Sequence, residues 1–376
     1  MNESVITENH LIDTHCHAFH DELLFKNNKK IDGYFIPAVD FFDYQKNLES
    51  LKLLLSKSKF QLKPNSQSQI LSKFQSLSLP SSNNLPSSNN LSSSQTLPYF
   101  QYLQDNSLFL AFLGIGIHPI NAQKMDEISL IREELEKDKT IHNISFIGEI
   151  GLDKRYLANI SLDIQKETLT NQLILALEFK KSINIHCVRM HSELIAILKT
   201  FYLDKSQEVN GVIHCFNASK EIANEYLKLG FKLGIGSDLL KKENKKLRNL
   251  LKLTDLSSIV LETDFPYFKV KSCDLFELFK DEDLIPQNYT IIDFYKMLKD
   301  TLGLSFTLPS HLSLSLSLPL NQTIDNEELL NSNILLDFSS NLLPLLIILL
   351  SKIRHENPST IEQIILENTL NLVKFV

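Results

Sequence analysis

The chain has 376 residues, 43% hydrophobic and 22% charged, which is enough apolar material for a large core and too much for a generally disordered polymer. Its 38 Lys plus Arg against 45 Asp plus Glu give a formal net charge of −7, so a protein that coats nucleic acid with a wholesale basic surface is excluded and any such contact must be local. No CxxC pair joins the four cysteines and the N-terminal MNESVITENH is polar rather than signal-like, so a cytosolic or nuclear compartment is expected.

In chain order, strand-like apolar segments fall at 11–17, 34–39, 108–117, 144–150, 183–187, 211–215, 231–235 and 258–262. Between them lie amphipathic stretches with apolar residues at helical intervals, at 128–136, 169–179, 192–201, 221–229 and 247–253. Near-continuous apolar strands separated by helices imply a parallel sheet covered on both faces. Eight such units predict an α/β fold of the eight-stranded parallel β/α (TIM-type) barrel kind, with a doubly wound sheet as the alternative.

Two low-complexity insertions interrupt the single barrel domain. Residues 56–99 are rich in Ser, Asn, Gln, Leu and Pro and carry PSSNNL twice in tandem, at 80–85 and 86–91; such a segment buries too little to offset its chain entropy. Residues 304–322 alternate Leu with Ser, a pattern that suits a loop as well as a strand. The segment 341–376 is expected to supply two C-terminal helices that close the barrel. Its apolar run at 342–350 contains Pro344 and is far shorter than the roughly 20 residues that span a bilayer, so no membrane partner is expected.

On a strand, residues i and i+2 share a face, so His15 and His17 in LIDTHCH can ligate one ion. Such a pair alone is equally well two polar residues at a strand end. Glu149, His186, His214 and Asp264 also fall at or just after predicted strand ends, where barrel sites assemble. Four imidazoles and two carboxylates make a plausible two-metal ligand set. Cys16, Cys187 and Cys215 each follow one of these residues, and alternation is expected to turn their thiols toward the surrounding helices. The charged run 241–248 (KKENKKLR) reads as a solvated helix face.

The segments LIDTHCH, GIGIHP, IGEIGLD, INIHC, GVIHCF and LETDFPY stand in an order and spacing that resembles the TatD family of metal-dependent deoxyribonucleases. The resemblance implies two divalent cations, with magnesium, manganese and zinc all open, and DNA as the substrate. It makes His15 and His17 ligands of one ion, His186 and His214 ligands of the other, Glu149 the bridge, and Asp264 the ligand that orients or deprotonates the attacking water. His118 in GIHP is a candidate phosphate contact or a simple turn histidine. Asp13 and Asp153 are candidate supports for the ligands.

Many bacterial members carry an aromatic after the aspartate of GLD and an arginine two places after the strand-five histidine. Here Lys154, Arg155 and Val188 stand there, so Arg189 or His191 is a candidate substitute, with solvent-exposed side chains as the alternative. The GLDK and HCVxxH variants are similar to a fungal branch of TatD-like proteins, some named for association with a subunit of the anaphase-promoting complex. That likeness implies a competing function as a protein partner in a cell-cycle complex; a hydrolase of esters, amides or other phosphoesters is the other alternative.

Overall fold

The computed structural model describes residues 11–17, 31–57, 100–104, 107–141, 144–202, 210–267, 270–288, 290–298, 306–307, 335–338 and 342–372. Eight parallel strands follow one another around the sheet: β1 (Leu11–Asp13), β2 (Ile31–Ile36), β4 (Ser107–Ile115), β5 (Ile144–Asp153), β6 (Ser182–Val188), β7 (Gly211–Ile213), β8 (Lys232–Ile235) and β9 (Ile259–Leu261). The last returns to the first, because the Thr14 amide and hydroxyl both donate to the Leu261 carbonyl, at 3.2 and 2.9 Å. Just beyond the strand ends Cys16 bridges to Phe265. The sheet is therefore a nearly closed TIM-type barrel, and the doubly wound alternative is set aside.

The additional strand β3 (Phe100–Gln104) runs antiparallel to β4 as a hairpin on the outside of this order. Three very short strands, β10 (Val270–Lys271), β11 (Phe306–Thr307) and β12 (Leu335–Phe338), form a separate antiparallel sheet. Neither feature is anticipated by the sequence pattern. Of the two biased stretches, residues 56–57 end helix α1 (Phe41–Lys57) and 306–307 form β11, while the remainder of each lies outside the described residues.

The outer helices are α2 (Glu127–Ile141), α3 (Leu162–Glu178), α4 (His191–Tyr202), α5 (Lys220–Lys228), α6 (Lys245–Leu253), α7 (Ser272–Asp281) and α8 (Ile291–Lys296). Several start where a short polar side chain satisfies an otherwise unpaired N–H: the Ser161 and Ser219 hydroxyls accept from Ile164 and Ile222, and Asn244 accepts from Leu247. α9 (Leu343–Arg354) carries Pro344 in its first turn, where its missing N–H costs nothing, and ends on left-handed His355 at φ 56°. α10 (Pro358–Asn371) follows.

Burial has two layers. Outward strand residues such as Ile36, Ile115, Ile150, Ile185 and Ile235 join the helices in the main core. Inside the barrel, Ile12, Phe35, Phe112, Phe146, Val212 and Val260 form a second apolar cluster, sealed by Leu366 of α10 and Leu372 just beyond it. The amino-terminal end of the barrel interior is thus plugged with hydrocarbon, and the imidazoles and carboxylates inside the barrel gather at the opposite end.

Candidate metal centre

The polar end begins one side chain above the apolar plug. On β6 the inward residues are Asn184 and His186; on β7 and its continuation, Val212 and His214; on β9 and its continuation, Val260, Glu262 and Asp264. On β5 the inward residues Phe146 and Glu149 are three apart, which a regular pleat forbids. The register shift between Ile147 and Ile150 supplies the extra residue that aims Glu149 inward. Gly148 makes the bulge sterically admissible: a Cβ there would lie 2.7 Å from Asn184 Cβ.

Glu149 divides its carboxylate between two groups of side chains. Oε2 lies 3.5 Å from His15 Nε2 and 3.8 Å from His17 Nε2, and those nitrogens are 3.7 and 3.8 Å from Asp264 Oδ1. Oε1 lies 2.7 Å from His186 Nδ1, 3.5 Å from His214 Nε2 and 3.7 Å from His118 Nε2. Apart from the shorter His186 contact, the spacings are close to the about 3.3–3.6 Å that separates donors sharing a tetrahedral ion with bonds of about 2.0–2.2 Å. Except for the quarter-exposed side chain of Asp264, these residues are buried.

The far nitrogens of three imidazoles are tied to acceptors, which fixes their tautomers. His15 Nδ1 donates to Asn184 Oδ1 at 3.0 Å, and the Asn184 amide is itself oriented by its bond to the Thr14 carbonyl. His214 Nδ1 donates to Glu262 Oε1 at 3.1 Å. His186 Nε2 donates to Asp153 Oδ2 at 2.9 Å, leaving its buried Nδ1 facing Glu149 Oε1. Each ring therefore aims a lone pair at carboxylate oxygen. Lone pair against lone pair is repulsive unless a cation lies between, so the donor set fits a divalent metal ion.

The electrostatics state the same demand. Burial opposes charge on His15 and His186, yet Glu149 with Asp264 at the first, and Asp153 with Glu149 at the second, raise both pKa values to about 9. Burial likewise opposes ionisation of Glu149, but the surrounding imidazoles hold its carboxyl well below the usual range. Burial raises Asp264. Without a metal the centre recruits protons to fill the same positions.

His118 belongs to this centre but plays a different part. Its Nδ1 accepts from the Ile120 amide at 3.1 Å, so the neutral ring carries its proton on Nε2, facing Glu149. Burial lowers its pKa to about 4, which keeps it neutral. It is both a turn histidine and a donor into the site. Asp153 accepts from His186 and is held ionised by His186 and Arg155 against its own burial. Asp13, whose pKa burial raises to about 7, accepts from the amide of His15 and from the amide and hydroxyl of Thr263. It joins the ends of β1 and β9 rather than touching a ligand ring.

Arg189 and His191 are not drawn into the cluster. Arg189 is exposed in a left-handed bend at φ 55°, and His191 Nδ1 is engaged 3.0 Å from the Tyr226 hydroxyl on α5. Arg155 stands at the rim instead, gripping Asp153 with its guanidinium and reaching within 3.5 Å of His186 Nε2. Sequence reasoning also missed Asn184 and Glu262, whose places inside apolar strands give no separate signal. Cys215 corrects the expectation of a helix-facing thiol: it is exposed, at φ 47°, with Sγ 3.8 Å from Asp264 Oδ2. Strand alternation ends with β7 at Ile213, and the chain turns into the left-handed region at Cys215.

Imidazoles and carboxylates thus converge at the carboxyl end of the barrel as a donor set that could hold metal ions. The TatD related DNase family model matches residues 12–282, and the chain belongs to that family. An uncharacterized metal-dependent hydrolase of Bacillus subtilis is 34% identical over 158 residues, 42% of this chain and 59% of its own length. The 3'-5' ssDNA/RNA exonuclease TatD of a Rahnella species is 31% identical over 154 residues, 40% of this chain and 56% of that protein. The chain thus spans less than two thirds of these relatives. A TatD family hydrolase structure from Entamoeba histolytica shares the fold at TM-score 0.58 and 17% identity, covering 98% of this chain and 100% of that one. An uncharacterized amidohydrolase structure from Saccharomyces cerevisiae does so at TM-score 0.62 and 14% identity, over 97% and 99%.

Proposed function

We propose that the protein is a deoxyribonuclease that cleaves phosphodiester bonds with two divalent cations and an activated water. The observation that carries this reading is the division of Glu149, one oxygen toward His15, His17 and Asp264, the other toward His186 and His214. In this reading the first group would hold one ion and the second the other, with Glu149 shared between the two groups. Two such ions would lower the pKa of a water, grip phosphate oxygens and steady the leaving oxygen of an in-line displacement.

The chain's own residues supply the rest. Asp264 is the most open carboxylate of the centre, with a quarter of its side chain exposed, so it is placed to orient the water and accept its proton. His118 donates its Nε2 proton to a phosphate oxygen. Arg155, with 56% of its side chain exposed, adds a fixed positive charge at the rim of an otherwise acidic chain. The name of the Rahnella relative, an exonuclease on single-stranded DNA and RNA, supports a nucleic-acid substrate.

The test is to incubate metal-loaded protein with end-labelled single-stranded DNA, duplex DNA, RNA and simple carboxylic esters. Metal-dependent shortening of DNA is the expected result. Ester cleavage without phosphodiester cleavage would move the chain to another hydrolase class. Bound metal with no turnover on any substrate would favour a role as a binding partner.

A further inference from the structure

Among the described residues, six large apolar or aromatic side chains are strongly exposed. Singly exposed apolar residues are ordinary, but three of these, Phe42, Ile120 and Tyr267, follow the carboxyl ends of β2, β4 and β9. All three therefore lie on segments that leave the carboxyl end of the barrel. Tyr267 is the nearest of the three to the chemistry. Its amide donates to the Asp264 carbonyl at 2.9 Å, and its ring meets His17 at a centroid distance of 5.2 Å and 76°. Two-thirds of the residue (67%) is nevertheless open to solvent.

A second aromatic lies on the other side. Tyr156 meets His118 at 5.9 Å and 78°, with the Arg155 guanidinium 5.6 Å from its ring centroid. One group of cation-demanding side chains thus has Tyr267 at its edge and the other has Tyr156. An anionic phosphodiester flanked on both sides by flat apolar faces is the chemistry of an unpaired nucleotide strand. In a duplex those faces are already stacked on one another and the phosphates run along the outside, so neither tyrosine would find a base. The buried ligand atoms at the floor of the site also favour a strand that can bend inward.

We propose that Tyr267 is a base-stacking residue that seats the nucleoside beside the scissile phosphate of an unpaired strand, with Tyr156 receiving the neighbour across the centre. The inference rests on the phosphodiesterase reading above and adds to it the residue that contacts the base. Aromatic stacking tolerates any base, because every base has a π face, and depends on a base being present. An exposed ring also tolerates replacement without loss of the fold.

The experiment crosses enzyme variants with strand variants. Binding and KM are measured for the metal-loaded full chain and its Tyr267→Ala and Tyr267→Phe forms, on single-stranded DNA with natural termini and on the same strand abasic at its terminal positions. Tyr267→Ala should weaken binding of the intact strand and raise its KM by about tenfold, with a smaller change in kcat, whereas Tyr267→Phe should stay close to the native value. Removing the bases should cost the native protein a similar factor and cost Tyr267→Ala much less. An equal abasic penalty in native and alanine forms, or an unchanged KM in Tyr267→Ala, would overturn the stacking assignment while leaving the nuclease reading intact. Tyr267-dependent, base-dependent binding with no cleavage of any strand would instead overturn the nuclease reading and retain the base contact.

Discussion

At the residue scale, the centre separates turnover from metal retention. Asp264→Asn keeps the shape of a side chain at the edge of the first group but removes a charge and a proton acceptor. Turnover should fall by about 100-fold or more with metal content largely kept, as expected for loss of a general base. Glu149→Gln weakens the one group shared by both sets of imidazoles, so metal content itself should drop along with activity. Metal analysis and nuclease rates on the two variants check this, and native-like turnover in Asp264→Asn would remove it from its proposed role at the water. Protons compete for the same positions. His15 and His186 have folded-state pKa values near 9 against the ordinary 6.5, so folding of the metal-free chain takes up protons. That contribution is complete below about pH 6.5 and is lost as pH rises through about 9. Melting of the metal-free protein should therefore shift down across this interval, while apparent metal affinity should rise over it, because each ion displaces protons. A pH-independent metal affinity would contradict the picture. The positions of the converging imidazoles and carboxylates were legible because each follows a run of apolar strand residues; the acceptors behind them, Asn184 and Glu262, were not, since a buried polar residue inside a strand looks the same whether it braces another side chain or fills a gap.

At the element scale, the sequence pattern conveys period but not its local violations. Phe146 faces the plug and Glu149 faces the metal centre, an odd separation that only the bulge in β5 reconciles. The glycines around it are the visible trace of that device. Gly151, at φ 154°, would place a Cβ 1.9 Å from the His186 carbonyl oxygen, and Gly148 is hemmed in by Asn184. Gly148→Ala should push β5 away from β6, cost about 1–3 kcal/mol of stability as overpacked sites do, and lower metal occupancy by moving Glu149. Denaturant melts with metal analysis test this; full occupancy and unchanged stability would show that the strands absorb the methyl group. The same limit explains Cys215, because alternation holds only while the strand continues. It also explains Arg248, whose run looked like a solvated helix face: its buried guanidinium donates to the Lys241 and Lys242 carbonyls, while Lys245 and Lys246 remain exposed.

At the scale of the whole molecule, strand and helix order was legible and the count of eight units pointed to a closed barrel, though not to the contact that closes it. Local periodicity serves a doubly wound sheet equally well, and the contact that decides, Thr14 to Leu261, joins residues 247 apart. The hairpin strand β3 was hidden because its residues adjoin the biased segment and pair with a strand already accounted for. These features set the terms for a test of the insertion. Helix α1 runs to Lys57 and β3 begins at Phe100, so a replacement that respects the barrel must be confined to residues 58–99. The plug, the helices and all eleven sequence-predicted site residues lie outside that interval. Loop length itself has little thermodynamic weight, about 0.6 kcal/mol for each doubling, and the Ser, Asn and Pro content of the segment suits chain that buries little. Replacing 58–99 with a short Gly/Ser linker long enough to join α1 to β3 should leave metal binding unchanged and shift the melting temperature by only a few degrees. Calorimetry and metal titration on the shortened chain measure both quantities. A collapse of either would mean that the segment packs on the barrel, and that its composition is a poor guide to its part in the fold.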